Sequence, residues 1–121
     1  MESVDFITTE SGKDLIVAFA ISAPDSFAGI KSLLLLRTPK YEVFLEEWER
    51  GVRVTFERNR VADPAILKAV EYSETHQTVR LRTTTARYHL DVRKLQAKDL
   101  KRMCEVLRLM NYDQSFEASG I

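Results

Sequence analysis

The sequence predicts an α+β fold: a mainly antiparallel β-sheet of about seven or eight strands, forming a sandwich or a partly open barrel, with one C-terminal amphipathic helix packed on it. Short stretches of alternating apolar and polar residues recur between turn signals, residues 78–93 have the pattern of a β-hairpin, and residues 97–110 have apolar side chains at helical spacing. The 121 residues, of which 45% are hydrophobic and 30% charged, are typical of one soluble globular domain.

The first two predicted strands form a hairpin. Apolar and polar residues alternate over Val4–Thr8, and Ser11-Gly12-Lys13 is a turn signal. Leu15–Ser22 follows with apolar side chains on both of its faces. Such a pattern is typical of a central strand that is covered on both sides.

The apolar run Ile30–Arg37 allows two interpretations. Its length suits a buried strand, and a helix beginning near Ser22, with Pro24 in its first turn, is the alternative. Gly29 would lie inside that helix, and Thr38-Pro39 would soon end it. We therefore predict a strand.

Two further strands are predicted on either side of a loop that contains the only tryptophan. Tyr41–Leu45 is expected to form a fourth strand, Glu46–Gly51 an acidic loop, and Val52–Phe56 the next strand. Trp48 in this loop is a candidate partner-binding residue, because Trp is enriched in interface hot spots. The alternative is that Trp48 forms a lid over the edge of the core.

The longest polar connector is Arg58–Pro64. Within it, Asp63-Pro64 has the pattern of a helix N-cap followed by a first-turn proline. We expect a helical turn that passes into a strand near Leu67, and the pattern leaves open whether Pro64–Ser73 is helical or extended. A turn at Glu74–Gln77 follows.

Residues Thr78–Arg93 predict a hairpin with one basic face. The apolar residues change from odd to even positions along this stretch, which requires a turn or a bulge. With Thr84-Thr85 as the turn, Leu81 lies opposite Tyr88 and Val79 opposite Leu90. The other face then gathers the basic side chains of Arg80, Arg82, Arg87, His89 and Arg93. A longer loop or one bent strand is the alternative, because Thr-Thr lacks the Gly or Asn that tight hairpin turns favour.

The basic face of this hairpin is the main functional lead in the sequence. Arg82 is predicted to lie directly opposite Arg87, and like charges opposite each other destabilise a strand pair. The functional interpretation is a site for an anion or an acidic partner. The alternative is a solvated face on which the arginine stems cover apolar surface.

The helix prediction rests on an apolar stripe that begins after Ala97 and ends near Asn111. The stripe consists of Leu100, Met103, Cys104, Leu107 and Met110. We expect it to pack on the inner face of the preceding hairpin. Residues 1–112 are predicted to form the domain and residues 113–121 a flexible tail.

This order of elements, many strands and then one helix, resembles the pleckstrin-homology-like superfold. In that superfold a helix caps one end of a bent β-sandwich. The resemblance concerns element order, and no motif accompanies it. Function has to be argued from a site and not from a fold.

Charge is balanced over the whole chain but not along it. Eighteen acidic and eighteen basic residues give a net charge of zero. Residues 1–49 hold nine acids and four bases, a net of −5, and residues 50–121 hold nine acids and fourteen bases, a net of +5. This asymmetry indicates a basic binding face, head-to-tail self-association, or neither, since folding can disperse charges that are clustered along the chain.

The sequence contains no recognisable catalytic or metal-binding motif. His76 and His89 are the only imidazoles, and neither has a Cys or carboxylate at zinc-ligand spacing. Nucleophile elbows, phosphate loops and dinucleotide fingerprints are absent. The single cysteine, Cys104, is expected to be a buried thiol. We therefore predict no enzymatic activity, no metal and no cofactor.

These observations predict a non-catalytic interaction module that binds a protein partner or a second copy of itself, through the basic face and Trp48. The alternative is a polyanion or nucleic-acid binder that uses the basic hairpin face, although the neutral net charge counts against it.

No apolar run approaches the roughly 18 residues of a membrane span, and the N-terminus has no basic leader. We expect a cytoplasmic protein without a membrane partner.

Overall fold

The computed structural model describes residues 1–56 and 65–121. Its strands are β1 (Glu2–Ser11), β2 (Leu15–Ser22), β3 (Ile30–Arg37), β4 (Arg53–Phe56), β5 (Ala65–Ser73), β6 (Thr78–Thr83), β7 (Arg87–Asp91) and β8 (Glu117–Ser119). Two 3₁₀ helices, Pro39–Phe44 and Glu47–Glu49, lie between β3 and β4, and α1 (Ala97–Met110) lies between β7 and β8.

The described strands form one mixed, mostly antiparallel sheet in the order β4-β3-β2-β1-β7-β6-β5-β8, and β4 also pairs with β5. The predicted α+β class with a strand-rich sheet and one C-terminal helix is therefore confirmed. The sheet differs from the expectation because β1 pairs with β7, and β5 with β8, in parallel. It is neither a clear sandwich nor a clear barrel.

The predicted opening hairpin is confirmed, but a bulge changes which side chains face the core. The register shifts between Val4, opposite Ile21, and Phe6, opposite Ala20. As a result Val4 is fully buried, Phe6 is 52% exposed, and Ile7 packs against the core. A bulge inserts one unpaired residue and so reverses the alternation of faces beyond it.

The central position of β2 is also confirmed, because it lies between β1 and β3. Its inner row is buried, including Val17 and Phe19. Ile16 and Ala18 on its other face are only partly buried, so that face is less covered than expected. Ile30–Arg37 is a strand, as predicted, and pairs with β2 along its whole length.

The strand predicted over Tyr41–Leu45 is wrong, because residues 41–44 belong to a 3₁₀ helix and Leu45 is its C-cap. Pro39 lies at the start of that helix, where its fixed φ is favourable and its missing N–H costs no hydrogen bond. Glu42 is buried inside it. The expected loop after it contains the second 3₁₀ helix, Glu47–Glu49.

The predicted connector Arg58–Pro64 and the helix cap at Asp63-Pro64 lie outside the described residues. The strand expected from about Leu67 is confirmed and begins earlier, at Ala65, so the helical turn expected before Leu67 does not extend over Ala65 and Ile66. Leu67 is fully buried, and its backbone N–H donates to the carbonyl oxygen of Val52 at 2.9 Å. This contact shows that β4 and β5 converge at one end of the sheet.

The predicted helix is confirmed from Ala97 to Met110, with Asn111 as its C-cap. All the predicted stripe residues are buried, and Val106 joins them. The helix lies against β1 and β2, not mainly on the hairpin that precedes it. It shares one apolar core with the inner face of the hairpin, which includes Val79 and Leu90.

The flexible tail predicted for residues 113–121 is instead packed on the domain. Phe116 is 5% exposed, and β8 pairs in parallel with Ala69–Glu71 of β5. Gly120 has φ +80°, and a Cβ at this position would overlap the carbonyl oxygen of Tyr72. Glycine is therefore required for the close approach of the two backbones.

Candidate functional site

The hairpin β6–β7 has the register that the sequence predicts. Leu81 pairs with Tyr88 and Val79 with Leu90, while Arg80 pairs with His89 and Arg82 with Arg87. The apolar face points into the core, where Val79, Leu81 and Leu90 are buried. On the opposite face the three arginines are exposed and His89 is half-buried.

The basic face forms one wall of an open groove of about 640 Å³, which we call the basic groove. Its lining comes from β5, β6, β7 and β8 and includes Ala69, Glu71, Arg80, Arg82, Arg87, His89, Glu117, Ala118 and Ser119. Ala69 lies opposite Arg82, and Glu71 opposite Arg80. The small side chain of Ala69 leaves space beside Arg82, and the volume falls in the range of known ligand sites.

The guanidinium groups of the three groove arginines are available to a ligand. Within residues 1–56 and 65–121, Arg80, Arg82 and Arg87 form no ion pair and no side-chain hydrogen bond. Glu71 and Glu117 line the same groove without pairing to them. Each guanidinium carries five N–H donors and a fixed charge, so this wall can bind carboxylate or phosphate oxygens.

Two of the predicted site residues lie apart from the groove. The Nε of Arg93 donates to the carboxylate of Asp91 at 3.0 Å, beyond the end of β7. The pKa of Asp91 lies below its ordinary value, because the backbone N–H of Arg93 donates to the carboxylate and the arginine charge is close. Trp48 lies in the second 3₁₀ helix and is 64% exposed, so it is not a lid over the core.

The hairpin turn is made by the side chain of Thr83, which replaces the usual turn chemistry. Its Oγ1 accepts hydrogen bonds from the backbone N–H groups of Thr85 at 3.2 Å and Ala86 at 2.9 Å, and donates to the carbonyl of Ala86 at 3.2 Å. Thr83 is 6% exposed. Local side-chain bonds of this kind explain how Thr84-Thr85 forms the turn without Gly or Asn.

Replacing Thr83 by Val is expected to lower the free energy of unfolding by about 1–2 kcal/mol, because three hydrogen bonds to the hydroxyl are lost at nearly constant volume. Urea unfolding of Thr83→Val checks this. Thr83→Ser keeps the hydroxyl and is the matched control, with a smaller expected loss. A loss in Thr83→Val that does not exceed the loss in Thr83→Ser would show that the turn bonds are not the main contribution of Thr83 to stability.

The sequence reasoning missed a buried arginine that positions the groove. Arg37 is 2% exposed and binds both oxygens of Glu42, with Nε–Oε2 at 2.6 Å and Nη2–Oε1 at 2.9 Å. It also binds both oxygens of Asp113, with Nη1–Oδ1 at 2.9 Å and Nη2–Oδ2 at 2.7 Å. Nη1 donates further to the carbonyl of Met110 at 2.7 Å and to Ser115 Oγ at 3.1 Å. We call these residues the Arg37 cluster.

Electrostatics within the Arg37 cluster favour the charged forms. Burial alone would lower the pKa of Arg37, but hydrogen bonds and charges from Asp113 and Glu42 outweigh it and raise that pKa above its ordinary value. The hydrogen bonds from Arg37 lower the pKa of the Asp113 carboxyl. The cluster therefore joins the first 3₁₀ helix to the end of α1 and to the segment leading into β8.

Strand β8 is the second feature of the site that the sequence reasoning missed. It supplies one wall of the basic groove, through Glu117, Ala118 and Ser119. The available signal was Phe116, a large apolar residue in a segment otherwise read as small and polar. Its burial, together with Asp113 on Arg37, holds β8 in place beside β5.

The described residues offer little reactive chemistry. Cys104 is buried, and burial raises the pKa of its thiol, which disfavours the nucleophilic thiolate. No group of three or more potential metal ligands occurs among residues 1–56 and 65–121. In the same part of the chain no helix has the length and apolarity to cross a membrane.

The basic groove is therefore the candidate functional site of the described residues. The resemblance of the element order to the pleckstrin-homology-like superfold stays a prediction. No protein-family model, no curated protein and no solved structure matches this chain.

Proposed function

We propose that this protein is a non-catalytic interaction module that binds an acidic, extended segment of a protein partner in the basic groove. The single observation that supports this is the arrangement of Arg80, Arg82 and Arg87. They lie side by side on one exposed face, with Arg82 directly opposite Arg87, and none forms an ion pair with another described residue.

The energetics of the hairpin favour an anionic ligand. Like charges directly opposite each other destabilise a strand pair, so the unliganded face carries a cost. A carboxylate between Arg82 and Arg87 would remove this repulsion and accept paired hydrogen bonds from the planar guanidinium groups. An anionic ligand that binds the folded protein is therefore expected to raise its free energy of unfolding.

The shape of the groove favours a peptide backbone over a compact ligand. It is open and is bordered on one side by β8, whose three side chains are all exposed. Ala69 is small, so an extended chain can approach closely beside Arg82. Main-chain contacts with alternate carboxylates on the arginines would combine affinity with a preference for acidic sequences.

The cytoplasm is the proposed compartment, because the chain has a single buried cysteine and needs no disulfide.

Nucleic acid is the second candidate ligand. Arginine binds phosphate as readily as carboxylate, and the same three side chains would serve. The balanced net charge weakens this alternative, since nucleic-acid-binding domains are usually strongly basic.

The test compares the wild-type protein with Arg82→Glu/Arg87→Glu. We expect the wild type to bind a labelled poly-glutamate peptide at low salt, and the double variant to bind at least about tenfold more weakly. Both positions are exposed, so the variant should keep its fold and its melting temperature within a few degrees. Lys98→Glu/Lys101→Glu, on the exposed side of α1, makes the same change in net charge and should bind like the wild type.

A salt series with labelled single- and double-stranded DNA separates the two candidate ligands. Tight DNA binding that falls steeply with salt, together with weak peptide binding, would favour the nucleic-acid function. A large loss of thermal stability in Arg82→Glu/Arg87→Glu would contradict the assignment of the exposed face. Equal peptide binding by the control and the groove variant would overturn the proposal.

A further inference from the structure

A second exposed surface lies on the two 3₁₀ helices between β3 and β4. Four large apolar side chains are exposed there within eight residues: Tyr41 at 45%, Val43 at 71%, Phe44 at 81% and Trp48 at 64%. Glu46 and Glu47 are exposed beside Trp48. We call Glu46–Trp48 the acidic turn. Clustered apolar exposure of this kind is typical of an interaction surface.

The acidic turn is held in one conformation by its neighbours. Glu42 is tied to the buried Arg37, and the Leu45 N–H donates to the carbonyl of Glu42 at 3.0 Å. The side chain of Arg50 donates to the carbonyl of Leu45 at 3.2 Å, and the Glu46 N–H donates to Glu49 at 3.2 Å. A rigid turn loses little conformational entropy on binding, so its exposed side chains are available for affinity.

The acidic turn and the basic groove lie on adjoining parts of the surface. Glu47 and Lys68 line one depression of about 330 Å³, together with Asp113. Lys68 and Arg82 line the next depression, of about 690 Å³, together with Glu117. Lys68 therefore lies between the two features, and both can face the same neighbouring molecule.

We infer that the acidic segment bound by the basic groove is the acidic turn of a second copy of this chain, an inference that rests on the function proposed above. In a two-fold dimer, each turn enters the groove of the other copy, which makes the interface self-complementary. Glu46 and Glu47 then meet Arg82 and Arg87, and the Trp48 ring covers a guanidinium group.

Charge complementarity supports a second copy over an unrelated partner. The first 49 residues carry a net charge of −5 and the remainder +5, so one chain contains both halves of the contact. The turn also combines carboxylates with an aromatic side chain. These are the two groups that bind arginine best, one through paired hydrogen bonds and the other through its π-face.

The test is sedimentation equilibrium of charge-reversal variants at low salt. The wild type is expected to dimerise. Glu46→Lys/Glu47→Lys and Arg82→Glu/Arg87→Glu should each raise the dimer dissociation constant by at least about tenfold. The quadruple variant that combines all four changes restores opposite charges across the interface, and should dimerise again. Lys98→Glu/Lys101→Glu is the control and should dimerise like the wild type.

The quadruple variant separates a lost interface from a lost fold, since a misfolded chain would not regain a dimer. If the wild type stays monomeric up to millimolar concentration but binds poly-glutamate, this inference is overturned and the proposed function stands. If it also fails to bind poly-glutamate, both are overturned. A dimer that is insensitive to both charge reversals would place the interface elsewhere and overturn the inference.

Discussion

Replacing Arg37 by Met is expected to destabilise the protein by about 3–5 kcal/mol, the usual cost of removing one partner from a buried ion pair. The guanidinium is 2% exposed and donates to Glu42, Asp113, Ser115 and the carbonyl of Met110. Methionine leaves Glu42, which is 8% exposed, without its hydrogen-bonded partner. For a domain of this size the melting temperature should fall by about 4 °C per kcal/mol.

Urea unfolding of Arg37→Met measures this loss, and Arg93→Met is the matched control. Arg93 also binds a carboxylate, that of Asp91 at 3.0 Å, but its side chain is 63% exposed. An exposed pair contributes at most about 1 kcal/mol. Similar losses in the two variants would show that the Arg37 cluster does not hold the fold together.

The pH dependence of the Arg37→Met variant tests the same cluster independently. Arg37 lowers the pKa of Asp113, so this carboxylate contributes stability that is complete above its unfolded pKa of about 4. That contribution is lost as the pH falls through the lower folded pKa. The stability difference between wild type and Arg37→Met should therefore shrink in acid. A difference that stays constant from neutral pH to strong acid would contradict this account of Asp113.

The second large effect is expected for Leu107→Ala on the buried face of α1, with a loss of about 2–5 kcal/mol. Leu107 is fully buried in the core that joins the helix to the sheet. Its truncation removes apolar contacts and leaves a cavity that the surrounding strands can fill only in part.

Leu109→Ala, two residues along the same helix, is the matched control for Leu107→Ala. Leu109 is 49% exposed, and the two substitutions change helix propensity equally. We expect Leu109→Ala to change stability by less than about 1 kcal/mol. Chemical denaturation of both proteins measures the two losses. A control loss as large as that of Leu107→Ala would mean that the assignment of the buried face of the helix is inverted.

Much of the candidate site could be predicted from the sequence because its geometry depends on neighbours in the chain. In the β6–β7 hairpin, side chains alternate faces with a period of two, and a two-residue turn at Thr84-Thr85 sets the register. That register is confirmed, including Arg82 opposite Arg87. The helical stripe of α1 follows in the same way from a period of 3.6 residues.

The other wall of the groove depends on contacts that local periodicity does not encode. Strand β8 has three exposed side chains and no alternation to reveal it. It exists because β5 offers free backbone groups beside it and because Phe116 reaches the core. Likewise, the contact of α1 with β1 and β2 follows from the sheet order, not from the nearest segment in the chain.

Local patterns in the sequence were therefore sufficient to predict the class of the fold, one register of the basic hairpin and the buried face of the helix. Contacts between distant segments explain why Tyr41–Leu45 is not a strand, why β8 pairs with β5, and why Arg37 is buried. From the sequence, Arg37 is simply the polar last residue of a strand. In the structure it binds Met110 and Asp113, which lie 73 and 76 residues away in the chain. Its burial is favourable only when those distant oxygen atoms are in place, because a buried charge without partners would be unstable.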